Sequence, residues 1–429
     1  MNLPPVYRRR TVYSWAMYDF ANSPFTTMVV TFIYAAYFAL AIAPDELTGT
    51  VLWSRGVTAT ALIVALLSPF MGALADRGGF RRLFLLVSTA VCILGSAMLY
   101  GPMRGDIGQA LLWFVVANIA FEMANVFYNA YLPEITPQKR IGWVSGFGWS
   151  MGYVGGLVAM VIAMVGFVNP EVPWFGLTKE ADQHIRATNL LVAGWFAVFS
   201  VPMFLWVKGG PTRTKEPLWS VAGAAWGQLA GTLREIRRYR QVVRLLLARL
   251  IYNDGLVTVF AFGGIYAVGT FGFTLEEVVM FGIVLNLAAG IGAFALGYAD
   301  DILGGKRAIQ ISLVGLILAT LLAVTTTSQL GFWIAGIGIG LMIGPNQAAS
   351  RSLMGRFTPR EKETQFFGFY AFSGKATAFI GPLFVGIMTQ QFQSQRAGIW
   401  VVLVLFVAGA LLLRRVSESE GLESAGRKA

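Results

Sequence analysis

The sequence predicts an all-α membrane protein, with twelve transmembrane helices arranged as two pseudo-symmetric six-helix bundles. Hydrophobic residues make up 56% of its 429 residues and charged residues only 13%, about half the charged share of soluble domains. Twelve apolar stretches are separated by polar ones, and a loop motif recurs at equivalent positions in the two halves of the chain. So much aliphatic and aromatic surface excludes both a disordered chain and an ordinary soluble enzyme.

The twelve apolar stretches are each long enough to cross a bilayer core of about 30 Å. The first follows basic residues 8–10 but is too long for a signal peptide and is interrupted by Asp19, so we expect it to be retained as a helix. The predicted spans lie near 13–43, 51–75, 83–101, 109–132, 143–168, 188–208, 242–269, 277–299, 308–327, 330–354, 365–391 and 398–416. The chain therefore divides into an N-terminal bundle, a cytoplasmic linker, a C-terminal bundle and a cytoplasmic tail, at 1–208, 209–241, 242–416 and 417–429.

The basic residues are distributed unevenly between the predicted loops, although a net charge of +11 would by itself suit a nucleic-acid-binding protein. With the N-terminus placed inside, the outer loops hold only four of the 33 lysines and arginines, namely Arg104, Lys179, Arg186 and Arg396. Three more lie within apolar stretches, namely Arg55, Arg249 and Lys375. All others, Arg351 included, fall on the inner side. Loop charge of this kind sets orientation, so we expect both termini in the cytoplasm and no nucleic-acid partner.

The sequence does not contain the residue sets that common enzymes and metal proteins need. Cys92 is the only cysteine and His184 the only histidine. An intrachain disulfide is therefore excluded, and neither a histidine-based metal site nor a Ser-His-Asp triad is expected. The sequence has no phosphate-binding Walker loop, so ATP is not the expected energy source. We expect no enzymatic activity, no metal and no cofactor, with a proton or a sodium ion as the coupling ion of any transport.

The linker contains a predicted amphipathic helix. Apolar residues recur there at three- and four-residue spacing, at Trp219, Ala222, Trp226, Leu229, Leu233 and Ile236. Basic residues follow at Arg234, Arg237, Arg238 and Arg240. Two interpretations are open: the helix lies on the inner leaflet, where anionic lipid attracts basic residues, or it packs beneath the two bundles.

The second and the eighth stretch are each followed by a loop in which glycines, an aspartate and basic residues have the same spacing. Its first copy comprises Gly72, Asp76, Gly79, Arg81 and Arg82. Its second copy comprises Gly297, Asp301, Gly304, Lys306 and Arg307. The glycines allow helices to approach closely, and the aspartate is suited to cap a facing helix N-terminus or to pair with the basic residues. We expect these gating loops to act as a conformational latch, with Asp300 as the alternative to Asp301.

The paired loops, the twelve spans and the central linker resemble the major facilitator superfamily of transporters. Short stretches further resemble the vacuole effluxer family of amino-acid exporters, at 18–25 (YDFANSPF), 145–149 (SGFGW), 152–156 (GYVGG), 252–255 (YNDG), 347–352 (QAASRS) and 374–377 (GKAT). The resemblance implies the major facilitator fold and a secondary active transporter that works by alternating access, with efflux as its direction. It also implies a location in the bacterial inner membrane.

Four charged residues inside apolar stretches are candidates for substrate or ion binding: Asp19, Glu122, Asp254 and Lys375. A charge at the bilayer centre costs at least about 2.5–3.5 kcal/mol, so each requires a partner, a water-filled cavity or a function. We expect Lys375 to face a cavity and to pair, in one state, with Asp254 or Glu122. Lys375 would hold a substrate carboxylate while an acid binds an amine or a proton; alternatively, the pair is fixed and only determines packing.

Neutral polar residues inside the spans should also point into the bundle, because unpaired amides are costly in lipid. They are Asn22, Asn125, Asn129, Asn253, Asn346 and Gln347. Candidate aromatic walls of a cavity are Tyr18, Tyr128, Trp149 and Tyr370. Such a cavity suits a small polar or zwitterionic solute, most simply an amino acid; the alternatives are an exporter of amphipathic drugs or lipids and a non-transporting receptor. The expected partners are the solute and membrane lipids, and the expected state is a monomer.

Overall fold

A computed structural model describes residues 8–208, 218–235 and 238–426, and these residues form helices and contain no β-strand. The N-terminal half consists of α1 (Arg9–Ile42), α2 (Glu46–Gly78), α3 (Arg81–Met98), α4 (Ile107–Asn129), α5 (Ile141–Ala163) and α6 (Gln183–Trp206). The linker helix α7 is Leu218–Arg234. The C-terminal half consists of α8 (Arg240–Phe271), α9 (Leu275–Leu303), α10 (Gly305–Thr325), α11 (Gln329–Phe357), α12 (Glu363–Lys375), α13 (Ile380–Phe392) and α14 (Gln395–Arg414), followed by α15 (Glu418–Ser424).

The predicted all-α membrane fold is confirmed. Among the described residues, eleven spans are long and apolar enough to cross a membrane, and α12 and α13 together form one of them. The twelfth is α11, whose 29 residues are long enough to span. Its polar run at residues 346–352 makes it less apolar than the others, and this run contributes to the candidate site.

The described chain begins and ends on one face of the bundle, the terminal face, and the two halves are joined there. At this face α2 packs against α12, and α5 packs against α9. Both contacts depend on glycine: a Cβ at Gly72 would lie 2.4 Å from the carbonyl oxygen of Thr364, and one at Gly146 would lie 2.3 Å from that of Ala293. Small residues at membrane helix crossings allow such backbone contact.

The eleventh span is broken in its middle. The helix α12 ends at Lys375, four residues in turns follow, and α13 begins at Ile380. A break inside the membrane frees backbone N–H and C=O groups, which then need partners from neighbouring helices. The break in this span therefore places polar groups at mid-membrane depth.

The linker helix α7 packs beneath the bundle and also exposes an apolar edge. Val221, Ala225 and Leu229 are buried against residues of α2 and the loop after it, and the amide of Gln228 donates to Gln365 of α12 at 2.9 Å. Trp226 is 63% exposed. These contacts support the interpretation that the helix packs beneath the bundles, whereas a position on the inner leaflet stays a prediction. Of the predicted pattern, Ile236 and Arg237 and the side chain of Trp219 lie outside the described part of the chain.

Candidate substrate site and gating latches

Lys375 and Glu122 form an ion pair between the two halves, with Nζ 2.6 Å from Oε1. Lys375 ends α12 and lies about 18 Å along that helix from the terminal face, and Glu122 of α4 lies at a similar depth. The Lys375 side chain is 34% exposed and that of Glu122 is 18% exposed. The pair is therefore at mid-membrane depth, between the halves, and accessible to solvent.

Two of the predicted amides connect to this pair. The Asn253 amide on α8 donates to the carbonyl oxygen of Gly374 at 3.1 Å, which is a carbonyl freed by the helix break. Gln347 of α11 donates to the side-chain oxygen of Asn253 at 3.3 Å. The structure thus brings together Glu122, Lys375, Asn253 and Gln347, from four different helices. We refer to these four residues as the central site.

Asp19 belongs to a second ion pair between the halves, and its partner is a residue that the charge pattern misplaces. Arg351 does not lie in an inner loop: it is inside α11 and buried, with Nη1 2.9 Å from Oδ2 of Asp19 on α1. The same guanidinium group lies over the rings of Trp15 and Trp149. The sequence assigns Arg351 to an inner loop because the residue lies near the end of its span, and the charge pattern does not show in which direction a side chain points.

Several other predicted binding residues make their contacts outside the central site. The Oδ2 of Asp254 accepts the backbone N–H of Gly381 at 2.8 Å, so this carboxylate caps the first turn of α13. Asn346 donates to Ser312 of α10 and is fully buried within the C-terminal half. Asn125 donates to Phe121 in its own helix. Asn22 is buried within α1.

Two of the predicted aromatic walls lie in the core of the N-terminal half and do not line a cavity. Tyr18 and Tyr128 are fully buried and stack on each other with ring centroids 4.8 Å apart. Their hydroxyl groups bond to Thr89 and to the backbone of Trp15. The tyrosine pair therefore packs α1 against α3 and α4.

Tyr370 covers a buried cation that the sequence prediction left out. The guanidinium of Arg249 on α8 lies 3.7 Å from the Tyr370 ring centroid and donates to the Tyr370 carbonyl and to Ser373. Gly374 makes room for it, since a Cβ there would lie 2.7 Å from Nη1. Among the described residues no carboxylate pairs with Arg249, and its Nε has no hydrogen-bond partner.

The first gating loop caps a helix of the opposite half. The carboxylate of Asp76 accepts the backbone N–H groups of Thr364 at 3.1 Å and Gln365 at 2.8 Å, which are the second and third residues of α12. Arg81 fixes this carboxylate at 3.1 Å and also pairs with Glu363 at 3.3 Å. Arg81 also pairs with Glu134. The turn after α2 is closed by Gly79, whose φ is 66°. We call this contact the first latch.

The second gating loop makes the equivalent contact in the opposite direction. Asp301 accepts the N–H groups of Gly142 at 2.7 Å and Trp143 at 2.9 Å, the second and third residues of α5. Asp301 rather than Asp300 is therefore the capping carboxylate. Asp300 instead pairs with Arg356 at 2.6 Å and bonds to Ser352, inside the C-terminal half. We call this contact the second latch.

The basic residues of the two gating loops do not play equivalent parts. Arg356 at the end of α11 holds Asp301 at 3.2 Å, so it replaces the predicted Lys306 and Arg307. Lys306 donates to the carbonyl of Arg414, and Arg307 is exposed. Arg82 donates to the backbone of Phe204 within its own half. Gly297 packs on Gly146 of α5, as Gly72 packs on α12.

Two six-span halves, joined by reciprocal helix caps and enclosing polar groups at mid-membrane depth, define a secondary transporter of the major facilitator superfamily. The model of the family described as "Vacuole effluxer Atg22 like" matches residues 46–142 and 136–426. The chain belongs to this family. The relative and the structural neighbours whose names state a role are transporters and not enzymes.

The chain is similar to a Bacillus subtilis protein named as the uncharacterized MFS-type transporter YxiO, with 26% identity over 94% of each chain. It is also similar to autophagy-related protein 22 of Yarrowia lipolytica, with 22% identity over 83% of this chain and 73% of the relative. Among solved structures, the proton:xylose symporter XylE matches with a TM-score of 0.75 at 13% identity, over 97% of this chain and 98% of XylE. The transporter FucP, in its outward conformation, matches with a TM-score of 0.76 at 11% identity, over 96% of this chain and 99% of FucP. These structural similarities support the fold.

Proposed function

We propose that this chain moves a small polar or zwitterionic solute, most simply an amino acid, by alternating access in the direction of efflux. The observation that carries the proposal is the Lys375–Glu122 pair, which joins the halves, is partly exposed and lies at mid-membrane depth. A zwitterion has one group for each partner: its carboxylate replaces Glu122 beside Lys375, and its ammonium replaces Lys375 beside Glu122. The solute would therefore separate the pair without leaving either charge unpaired in a low-dielectric site.

The two latches supply the conformational side of the proposal. Each caps a helix N-terminus across the halves, and such a contact forms only while the terminal face is closed. Opening this face would break both caps together, and closing it would restore them. The latches would thus set the population of the closed state rather than the affinity for the solute.

A proton is the proposed coupling ion, with Glu122 as its carrier. The zwitterion's ammonium neutralises Glu122 only while the solute is bound, so a proton on Glu122 would balance this charge in the steps in which neither the ammonium nor Lys375 lies beside it. The name of the structural neighbour XylE as a proton symporter supports this choice. Sodium is the alternative, and replacing sodium by potassium in the same assay separates the two.

We propose that both termini are cytoplasmic, on the basis of the loop charge, and that the protein lies in a bacterial inner membrane, on the basis of the family resemblance. The exposed Lys179 would then face outward and the exposed Lys139 inward. In spheroplasts, a membrane-impermeant maleimide should label Lys179→Cys and leave Lys139→Cys unlabelled until lysis. The reverse pattern would invert the topology.

Uptake of a pooled set of labelled amino acids into proteoliposomes, with and without an imposed pH gradient, tests the proposed function. Uptake that increases with the gradient supports proton-linked transport of a zwitterion. Uptake that does not depend on the gradient supports exchange or another ion. Folded protein without uptake would refute the amino-acid proposal and favour amphipathic drugs or lipids, or a receptor role.

A further inference from the structure

Arg351 is a cation of one half held entirely by the other half. It projects from α11 of the C-terminal half, and its Nη1 donates to Asp19 at 2.9 Å and to Asn129 at 3.2 Å. Its Nε donates to the hydroxyl of Ser145 at 2.9 Å, and its Nη2 donates to the carbonyl of Ser145 at 2.7 Å. These partners belong to α1, α4 and α5 of the N-terminal half. The Arg351 side chain is only 3% exposed.

The residues around Arg351 form a pocket with the chemistry of a cation site. Its hydrogen-bonding atoms toward the guanidinium are all acceptors, one of them a carboxylate oxygen. Two indole rings complete it: the Arg351 Cζ lies 4.8 Å from the Trp15 ring centroid and 5.5 Å from that of Trp149. Aromatic faces beside a carboxylate attract guanidinium and ammonium groups and do not favour anions.

The pocket is held in place by contacts within the N-terminal half. The Trp15 indole donates to the Tyr128 carbonyl at 3.2 Å, and the Tyr128 hydroxyl donates to the Trp15 carbonyl at 3.0 Å. Gly148 keeps the pocket open, because a Cβ there would lie 2.7 Å from Asp19 Oδ2 and 2.8 Å from Arg351 Nη2. None of these contacts involves Arg351 as a support, so we expect the pocket to persist when Arg351 leaves.

Opening of the terminal face would empty the pocket. Ser145 is only one helical turn from Gly142, the residue that the second latch caps. Separation of α11 from α5 there would withdraw Arg351 from the two indole rings and leave Asp19 without its counter-ion. A buried carboxylate in this position is costly unless another cation takes the vacated place.

We propose that this pocket binds the cationic group of the transported solute, a guanidinium or a primary ammonium, and that Arg351 occupies it in the closed state. Arg351 and the solute therefore compete for one site, and a bound cation favours the state in which the terminal face is open. The inference rests on the alternating access proposed above and adds a second positive charge to the solute, because the ammonium of the zwitterion is already placed beside Glu122. Neutral solutes of the same shape would not compete.

The test uses purified Arg351→Ala protein in detergent, with ethylguanidinium as the probe and N-ethylurea as its neutral counterpart. Ethylguanidinium should raise the Tm of Arg351→Ala in a dose-dependent way, and N-ethylurea should not. The double variant Arg351→Ala with Asp19→Asn should show no shift. As a control, Arg104→Ala, a change at an exposed loop arginine, should respond to ethylguanidinium as the wild-type protein does. No shift in Arg351→Ala, or an equal shift with Asp19→Asn, would overturn the proposal.

A second measurement on protein with Arg351 intact covers the case in which Arg351→Ala does not fold. Spin labels at Lys139→Cys and Arg360→Cys, two exposed positions on opposite halves of the terminal face, report its opening. Ethylguanidinium should increase the population with long inter-label distances, and N-ethylurea should not. An unchanged distance distribution would overturn the proposal. Both tests measure binding in detergent, so a failed uptake assay with these responses present refutes the proposed function alone.

Discussion

At the scale of single residues, the Lys375–Glu122 pair is better suited to switching than to stabilising the fold. Loss of one partner of a fully buried pair costs about 3–5 kcal/mol, but both side chains are partly exposed, Lys375 by 34% and Glu122 by 18%, so water screens the charge that remains and the cost should be smaller. The groups that meet Lys375 can therefore change without loss of the folded state.

We predict that Lys375→Ala lowers amino-acid uptake at least about tenfold while leaving the Tm nearly unchanged. Glu122→Gln should lower uptake similarly, because either change removes one of the two groups that hold the zwitterion. Lys179→Ala, at an exposed loop lysine, is the matched control and should transport normally. Wild-type uptake by Lys375→Ala in vesicles would refute its role.

Asp254 should respond to substitution as a helix cap and not as a binding residue. Asn caps helices about as well as Asp does, so Asp254→Asn should keep the bond to Gly381 and transport at near the wild-type rate. Asp254→Ala should lose about 0.5–2 kcal/mol of stability, visible as a lower Tm. If Asp254→Asn abolishes uptake without changing the Tm, the carboxylate itself is functional.

These residues show what the sequence can and cannot predict about the site. The high free energy of a charge inside a membrane identified Glu122 and Lys375, because a charged side chain there requires a partner. The same rule could not show that Asp254 faces a backbone N–H freed by the break in the eleventh span, since Gly374, Gly381 and Pro382 mark a weak point in that span but do not show which side chain caps it. It also missed the partner of Asp19, since Arg351 lies only six residues from the end of its helix.

At the scale of helices, the two latches share a geometry but differ in the origin of the arginine that pairs with the capping aspartate. In both, an aspartate caps the second and third residues of a helix in the opposite half. The arginine comes from the gating loop in the first latch and from the end of α11 in the second. The loop spacing predicts the caps, whereas the position of Arg356 follows from tertiary packing that the spacing does not contain.

We predict that Asp301→Asn opens the terminal face and that Asp300→Asn does so much less. An amide has a single acceptor oxygen, so Asp301→Asn loses one of two bonds to α5 together with the charge that favours a helix N-terminus. A loss of about 1.4 kcal/mol would shift the closed-to-open ratio about tenfold. Distances between spin labels at Lys139→Cys and Arg360→Cys measure this, in a Cys92→Ser background because Cys92 is the only native cysteine. Equal shifts for the two variants would contradict the assignment of Asp301.

Gly72→Ala should also open the terminal face, for a steric reason. The added Cβ would lie 2.4 Å from the Thr364 carbonyl oxygen and 2.8 Å from the Cα of Gln365, and backbone cannot yield as a flexible side chain does. Overpacking of this kind costs about 1–3 kcal/mol. Gly194→Ala is the control, since a Cβ there meets nothing within 4 Å. The distance between the same spin labels should increase in Gly72→Ala and not in Gly194→Ala. An unchanged distance in Gly72→Ala would argue against backbone contact at this crossing.

At the scale of the whole molecule, the halves are joined in three layers. The latches lie at the terminal face, the Arg351 pocket lies one turn deeper, and the Lys375–Glu122 pair lies near mid-membrane. All three are polar contacts between the halves rather than within them, so a relative movement of the halves changes all three. Hydropathy and loop repeats predict the twelve spans and their division. They do not predict which cross-contacts are present in a given state, because several states satisfy the same pattern.

The most direct test of the account is counterflow: wild-type protein in vesicles preloaded with unlabelled amino acids should accumulate labelled amino acids from outside. Alternating access predicts this transient accumulation in the wild type, its loss in Lys375→Ala, and its retention in Lys179→Ala. Counterflow that persists in Lys375→Ala, or that is absent from folded wild-type protein with every amino acid, would contradict the account.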